Sequence, residues 1–333
     1  MKSVKAVALL SGGLDSTLAA LQMKKHGIEV YGLSLITPFT SKADVKDIIE
    51  NNLAYYENLE IPVKIKELSE EYIEIVRKPQ FGYGKNLNPC IDCKILFLKI
   101  AASYMKEIGA EFVITGEVLD QRPMSQKAHT LFLIEEEAGM KNLVVRPLSG
   151  ALLPPTEPEL RGLIKREWLL SIRGRQRNEQ LKLAEEFGVK EFKQPAGGCL
   201  LTSPDYAKKV KDLIIHDQLT KLSAEFLKFG RHFRVDGVKL IVGRNFLENE
   251  RILKVGLGHR ILIFPVNTTG PTALVDSDSP LDDRILDLVL RVVARYCDKK
   301  MEIDFKVVLP NGEHSLKRVE KPLNAVDMEK YKI

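Results

Sequence analysis

The chain is poor in cysteine, with four in 333 residues, too few and too scattered for a disulfide framework. That scarcity argues against a small secreted scaffold and for a reducing compartment, so a cytoplasmic protein is expected. Long apolar runs are also missing. None approaches the roughly 18 residues of a membrane-spanning helix. Met1-Lys2-Ser3 leads straight into a strand-like run, so no leader is expected. No internal repeat or low-complexity tract is evident. An excess of one charge sign is slight: the net charge of +5 suits an acidic partner without requiring one. What the chain does have is 44% hydrophobic residues, enough for full cores, and a length that suits two domains.

The most informative stretch is Ala6-Val7-Ala8-Leu9-Leu10-Ser11-Gly12-Gly13-Leu14-Asp15-Ser16. An apolar run of strand length meets Ser-Gly-Gly. Leu14, Leu18, Ala19, Leu21 and Met23 then follow at helical spacing, giving strand, tight loop and helix. Gly12 and Gly13 let the backbone approach a ligand with no Cβ in the way. The loop N–H groups and the helix N-terminus point at one spot, which suits an anion. Ser11 and Ser16 add hydroxyl donors. Asp15 repels a phosphate, so its carboxylate is expected to hold Mg²⁺ or to orient a substrate group. The Gly-Lys-Ser/Thr ending of a Walker loop is absent, and so is the dinucleotide pattern Gly-x-Gly-x-x-Gly. An ordinary glycine-rich turn between strand and helix is the bland alternative.

Downstream, strands are expected at Val30–Ile36, Pro62–Ile65, Glu111–Thr115 and Leu143–Leu148, with helices at Lys42–Tyr56, Lys94–Ile108 and Asn178–Phe187. Alternating strands and helices predict an α/β fold with a doubly wound parallel sheet over residues 1–204. Its ligand would lie outside the carboxyl ends of the strands. Leu152-Leu153-Pro154-Pro155-Thr156-Glu157-Pro158-Glu159 reads as a stiff linker. From about Asp205 the texture changes to two helices, near 205–215 and 220–229, followed by short strand-like runs. These include Lys239–Val242, Ile252–Val255, Ile261–Pro265, Thr272–Val275 and Ile303–Val308, with a helix over Leu281–Tyr296. A second, smaller α+β domain is expected over 205–333.

Cys90 and Cys93 form a C-x-x-C at the start of a helix, where the helix N-terminus is expected to favour the thiolate. Such a pair is compatible with a redox couple, half a zinc site, cluster ligands or plain packing. Cys199, in the turn Gly197-Gly198-Cys199, is a third candidate. Cys297 reads as a buried structural thiol. Three thiolates without a fourth suit a 4Fe-4S cluster with one open iron. The metal-free alternative places a persulfide on Cys199, resolved by Cys93.

Ser11-Gly12-Gly13-Leu14-Asp15-Ser16 resembles the PP-loop of the ATP pyrophosphatases. Together with Asn88-Pro89-Cys90-x-x-Cys93 and Gly197-Gly198-Cys199, the first 200 residues resemble the tRNA thiouridylases. The resemblance implies an adenine-nucleotide alpha hydrolase-like fold. It implies ATP on Ser11, Gly12, Gly13, Asp15, Ser16 and Gly116, with Mg²⁺ near Asp15 and catalytic roles for Asp15, Cys93 and Cys199. The tRNA 2-thiouridylases carry Asp where this chain has Cys90. That extra thiol makes the chain similar to the cluster-dependent tRNA thiolases, with Cys90, Cys93 and Cys199 as metal ligands. Thr115-Gly116-Glu117-x-Leu119-x-Gln121, with Ser125-Gln126, is similar to the tRNA 4-thiouridine synthetases, although Asp120 replaces a glycine and Arg122-Pro123 is inserted. Gln121 and Arg122 are candidate RNA contacts. Val242-Gly243-Arg244-Asn245 resembles the NFACT-type RNA-binding signature, with Arg244 gripping a phosphate and Asn245 a base edge or sugar. Nearby Lys208, Lys209, Lys211, Arg231, Arg234, Lys239 and Arg251, joined by His259-Arg260, are expected to extend that surface, and the Arg161–Arg177 segment is a second candidate for phosphate contact, which a solvated helix face explains nearly as well.

The resemblance thus implies an enzyme that adenylates a uridine carbonyl and replaces its oxygen with sulfur, giving 4-thiouridine first and 2-thiouridine at the wobble position second. A PP-loop amidotransferase or synthetase for a small metabolite is the alternative outside RNA. The expected partners are tRNA and a sulfur donor, either sulfide or a cysteine desulfurase. A homodimer is allowed, and no membrane is expected.

Overall fold

The computed structural model describes residues 3–40, 53–189 and 199–333. They gather into two compact units, Met1–Ser203 and Pro204–Ile333.

The elements of the first unit are β1 (Lys5–Leu9), α1 (Leu14–Lys25), β2 (Glu29–Ile36), α2 (Leu53–Asn58), β3 (Val63–Glu67), α3 (Glu70–Arg77), α4 (Cys90–Ile108), β4 (Phe112–Ile114), α5 (Ala128–Glu137), β5 (Val144–Val145), α6 (Glu157–Leu160) and α7 (Asn178–Glu186). The strands form one parallel sheet in the order β3-β2-β1-β4-β5. Alternation along β1 decides which helix covers which face. Ala6 and Ala8 enter the core shared with α1 and α7, whereas Val7 enters the core of Leu98, Met105 and Ile134 from α4 and α5. Helices therefore cover both faces, as the doubly wound expectation requires. The strand order reverses at β1, which pairs β2 on one side and β4 on the other. The crevice for a ligand opens at that reversal.

Several local expectations are corrected. The α4 helix starts at Cys90 rather than Lys94, so both cysteines of the C-x-x-C lie in its first turn. The strand over Leu143–Leu148 is confined to Val144–Val145. The proline-rich stretch 152–159, expected as a stiff linker, is instead packed within the first unit. Leu153 and Pro158 are buried, and Thr156 and Glu159 form a reciprocal capping box that starts α6. The chain then returns to the first sheet, where Ile164, Leu169 and Ile172 join the α1 core. Most of the helix expected over Lys42–Tyr56 lies outside the described residues, as do Gly197 and Gly198.

The second unit holds α8 (Pro204–Ile215), α9 (Lys221–Phe226), β6 (Arg231–Val235), β7 (Val238–Val242), α10 (Phe246–Gly256), β8 (Ile261–Pro265), β9 (Ala273–Val275), α11 (Asp283–Ala294), β10 (Ile303–Val308), β11 (His314–Val319) and α12 (Ala325–Glu329). Its sheet is antiparallel, in the order β11-β10-β8-β9-β7-β6. Val289, Leu290 and Val293 of α11 cover one face, and Ile252 of α10 with Phe226 and Phe229 covers the other. The run Ile252–Val255, expected as a strand, is the last part of α10. Asn245 caps that helix, its side-chain oxygen accepting from the Glu248 amide at 3.0 Å. Among the described residues no helix is long and apolar enough to cross a membrane.

Candidate functional site

The loop after β1 is shaped by glycine and by hydroxyls. Gly12 adopts a φ of 74°, in the left-handed region. The Ser16 hydroxyl donates to the Gly13 carbonyl at 2.8 Å and lies 3.2 Å from the Ser11 hydroxyl. Gly13 occupies the N-cap of α1, and no side chain caps that helix end. Its first N–H groups are thereby left for a ligand, the usual arrangement for phosphate.

Ser11, Gly13, Asp15 and Ser16 line a cavity of about 790 Å³. The segment after β4 supplies Gly116, Gln121 and Arg122 to the same cavity, and Cys90, Cys93 and Cys199 complete its wall. Residues from distant parts of the first unit are therefore brought together. The link to Cys199 is visible in the backbone. Leu87 N–H donates to the Leu201 carbonyl at 3.3 Å, and the Asn86 side chain donates to the Thr202 carbonyl at 2.7 Å. These bonds tie the turn after Cys199 to the loop before Cys90. Within the C-x-x-C, Asp92 turns away from the cavity and accepts from the Gln80 and Phe81 amides at 2.8 and 3.2 Å. That clasp fixes the entry into α4.

Asp15 is held by Gln121, whose amide donates to Oδ2 at 3.1 Å. Its Oδ1 is buried without a hydrogen bond, and Arg177 approaches it at 3.6 Å. Gln121, expected on RNA grounds, thus positions the loop carboxylate. Arg122 is exposed and adds positive potential beside Cys90 and Cys199.

The thiols do not behave as a helix N-terminus alone suggests. Burial pushes Cys93 up to about 12 and Cys199 up to about 11, and it raises Cys90 as well. Desolvation thus acts on Cys90 and Cys93 in the direction opposite to the helix N-terminus. The Tyr72 hydroxyl donates to Cys93 Sγ at 3.4 Å and pulls the other way. Cys90, Cys93, Cys199 and Cys297 form no disulfide, and Cys297 is buried in the second unit's core, as expected. Among the described residues no three His, Cys, Asp or Glu side chains close around a single ion position.

Behind the wall lies a charge network that the sequence did not reveal. Lys94 donates to Glu117 at 2.5 Å and to the Ser125 carbonyl at 3.1 Å. Arg146 donates to Glu117 at 3.0 Å and also pairs with Glu135. Burial opposes the charge on Glu117, but Lys94 and Arg146 outweigh it and hold the carboxyl at about 2. Lys94 is thereby fixed on the cavity wall.

In the second unit the expected basic surface is thinner than the sequence suggests. Lys239 is buried and pairs with Asp212 at 2.8 Å, and Arg234 pairs with the same carboxylate at 2.5 Å. Arg260 is likewise committed to Asp276. Arg244 bonds Glu248 while remaining about half exposed (52%), so it keeps a face toward solvent.

Comparison with known proteins follows this division. Residues 1–152 match the family model of the thiamine biosynthesis protein ThiI. The first unit resembles ThiI. Residues 230–332 match the family model of the NFACT protein RNA binding domain, so the second unit is similar to that domain over this segment. A probable tRNA sulfurtransferase of Thermococcus kodakarensis is 30% identical over 148 residues, which are 44% of this chain and 37% of that one. The tRNA-specific 2-thiouridylase MnmA of Geotalea uraniireducens is 26% identical over 226 residues, covering 63% of this chain and 58% of that one. This chain therefore spans well under two thirds of both. The U34-tRNA thiolase NcsA from Methanococcus maripaludis, solved with its 4Fe-4S cluster, is 18% identical with a TM-score of 0.39, over 68% of this chain and 71% of that one. The ThiI-type match covers the PP-loop, Cys90 and Cys93 but stops short of Cys199 and Arg177.

Proposed function

We propose that the chain is an ATP-dependent tRNA sulfurtransferase that forms AMP and pyrophosphate. The observation that carries this reading is the convergence of the Ser11–Ser16 loop and the thiols of Cys90, Cys93 and Cys199 on one cavity. ATP phosphates lie on Ser11, Gly12, Gly13 and Ser16, with the unbonded oxygen of Asp15 available to Mg²⁺. A uridine is extruded from its stack into the cavity, because its carbonyl is out of reach otherwise. The carbonyl oxygen attacks the α-phosphorus, pyrophosphate leaves, and sulfur then displaces AMP. The exposed face of Arg244 suits a tRNA phosphate.

The donor set fits a 4Fe-4S cluster. Three sulfurs line one wall, each disfavoured as an isolated anion, and a cationic centre supplies the charge that desolvation denies them. Cys90, Cys93 and Cys199 would hold it. When bound, such a cluster offers one iron without a protein ligand, a site for sulfide. The chain's own part is to hold the base, to keep water from the adenylate and to orient sulfur beside it. The sulfur donor is sulfide or a cysteine desulfurase, in a cytoplasmic setting, and a homodimer is compatible with this scheme.

The similarity of residues 115–126 to the 4-thiouridine synthetases favours 4-thiouridine as product. The MnmA-type relatives favour a second reading, 2-thiouridine at the wobble position. Nucleoside mass spectrometry of tRNA from cells lacking the gene separates them. Loss of 4-thiouridine supports the first, loss of 2-thiouridine the second, and unchanged thionucleosides sink both.

A further inference from the structure

We propose that Arg177 is the catalytic cation that receives the leaving pyrophosphate. The inference rests on the adenylation reading above and names a residue beyond the segment matched to ThiI. Three cations line the described cavity: Lys94, Arg122 and Arg177. Lys94 is engaged by Glu117 and the Ser125 carbonyl. Arg122 acts at the thiol end, on Cys90 and Cys199. Arg177 alone among them pairs with the nucleotide loop, through Asp15.

That pairing is loose. The Arg177 Nη2 to Asp15 Oδ1 distance is 3.6 Å, and neither Asp15 Oδ1 nor the buried Arg177 Nε has a hydrogen-bond partner. Unbonded buried polar atoms call for an explanation: the unpaired Nε–H of Arg177 beside a phosphate-type loop suits a phosphate oxygen, and the unpaired Asp15 oxygen suits the cation that accompanies it. A guanidinium fork matches two phosphate oxygens at once, which a lysine does not. The scaffold is firm enough to aim it. Gly174 N–H donates to the Leu119 carbonyl at 2.8 Å, which ties this segment to the loop after β4. Arg177 itself is the N-cap of α7, whose Leu183 and Ala184 pack in the core of α1.

In the reaction, the uridine oxygen forms a bond to the α-phosphorus while the bond from that phosphorus to the bridging oxygen of the β-phosphate breaks. The electron pair stays on pyrophosphate, and the uridine N3 proton passes to water. Arg177 donates to the oxygen on which charge develops, so its contribution grows toward the transition state.

The test is ATP–pyrophosphate exchange by the full chain with tRNA. Arg177→Ala is expected to slow exchange on the order of 100-fold or more, with the thermal transition unchanged. Added guanidinium chloride at millimolar concentration should restore part of the loss, which a structural role would not allow. Arg177→Lys should fall between the two, and together with Arg177→Gln it carries the same comparison if the alanine variant does not fold. Exchange by Arg177→Ala within about threefold of wild type overturns the proposal, as does a loss that guanidinium leaves untouched. A wild-type chain that shows no exchange overturns the sulfurtransferase reading and this inference with it. Wild-type exchange with an indifferent Arg177 overturns this inference alone.

Discussion

A β-carbon at Gly116 would lie 2.4 Å from the backbone nitrogen of Ser16. The end of β4 thus packs directly on the first turn of α1. Gly116 was expected as a nucleotide contact from its place in Thr115-Gly116-Glu117, and it does line the cavity. The contact with Ser16 gives it a second reason to be glycine, since the clashing atoms are backbone and cannot swing away. Gly116→Ala should push the Ser11–Ser16 loop out of register, lowering stability by about 1–3 kcal/mol and ATP affinity by about tenfold or more. Chemical denaturation and nucleotide titration read the two effects. A variant with unchanged ATP affinity would show that the loop position does not depend on this contact.

The hydrogen bond from Tyr72 to Cys93 yields a second prediction. The donor offsets part of the desolvation that raises the thiol, so Tyr72→Phe should shift the alkylation profile of Cys93 to still higher pH in the metal-free protein. Iodoacetamide labelling followed by mass spectrometry reads it, and an unmoved profile rules out a role for the hydroxyl.

How much of this was legible in the sequence depends on whether the signal was local. The β1–loop–α1 unit was legible because an apolar run, two glycines and a helical stripe stand side by side. The three thiols in one cavity were legible from motif chemistry. Ile252–Val255 was misread because a four-residue apolar run carries no period that separates strand from helix; the deciding signal was Asn245 as N-cap. Residues 152–159 were misread because proline content marks a stiff chain without telling where it packs, although Thr156 and Glu159 stood at capping-box spacing. The α3 helix carries its signal in Tyr72, Ile73 and Val76, apolar residues buried at helical spacing. The basic segment Arg161–Arg177 was legible as a phosphate contact, but nothing local pointed to Asp15 as the partner of Arg177, and the Glu117 network had no local signal. The partners of Arg177 and Glu117 lie 162 and 29 residues away, respectively Asp15 and Arg146, and only the fold pairs them.

A third prediction concerns acid. Glu117 is held at about 2 against an ordinary 4.5. A carboxyl depressed in the fold stabilises it above the ordinary value, and that stabilisation is lost as pH falls through the folded one. Between about pH 5 and pH 2 the wild-type chain should lose on the order of 3 kcal/mol from this group, and Glu117→Gln should show a flatter profile. Arg146→Met should be far more damaging at neutral pH, because it leaves Glu117 and Glu135 buried with too little positive charge. Denaturant midpoints across pH measure both. Parallel profiles for wild type and Glu117→Gln would contradict the assignment.

In the second unit Asn245 caps a helix, whereas Arg244 keeps half of its side chain exposed. Asn245→Ala should cost about 1 kcal/mol through the lost cap of α10. Arg244→Ala should also cost some stability, because Glu248 loses its ion-pair partner, but in addition it should weaken tRNA binding and reduce its salt slope by about 1. Filter binding across a salt series reads the slope. An unaltered slope would remove Arg244 from the RNA surface.

The most direct test of the central claim is in vitro thiolation of unmodified tRNA by the full chain, with ATP and a sulfide source, read by nucleoside mass spectrometry. The account predicts a thiouridine formed together with AMP and pyrophosphate, and its loss in Asp15→Asn, Cys93→Ser and Cys199→Ser. Thiolation that persists without Cys93 or Cys199, or ATP turnover that leaves every uridine unsulfurated, would contradict it.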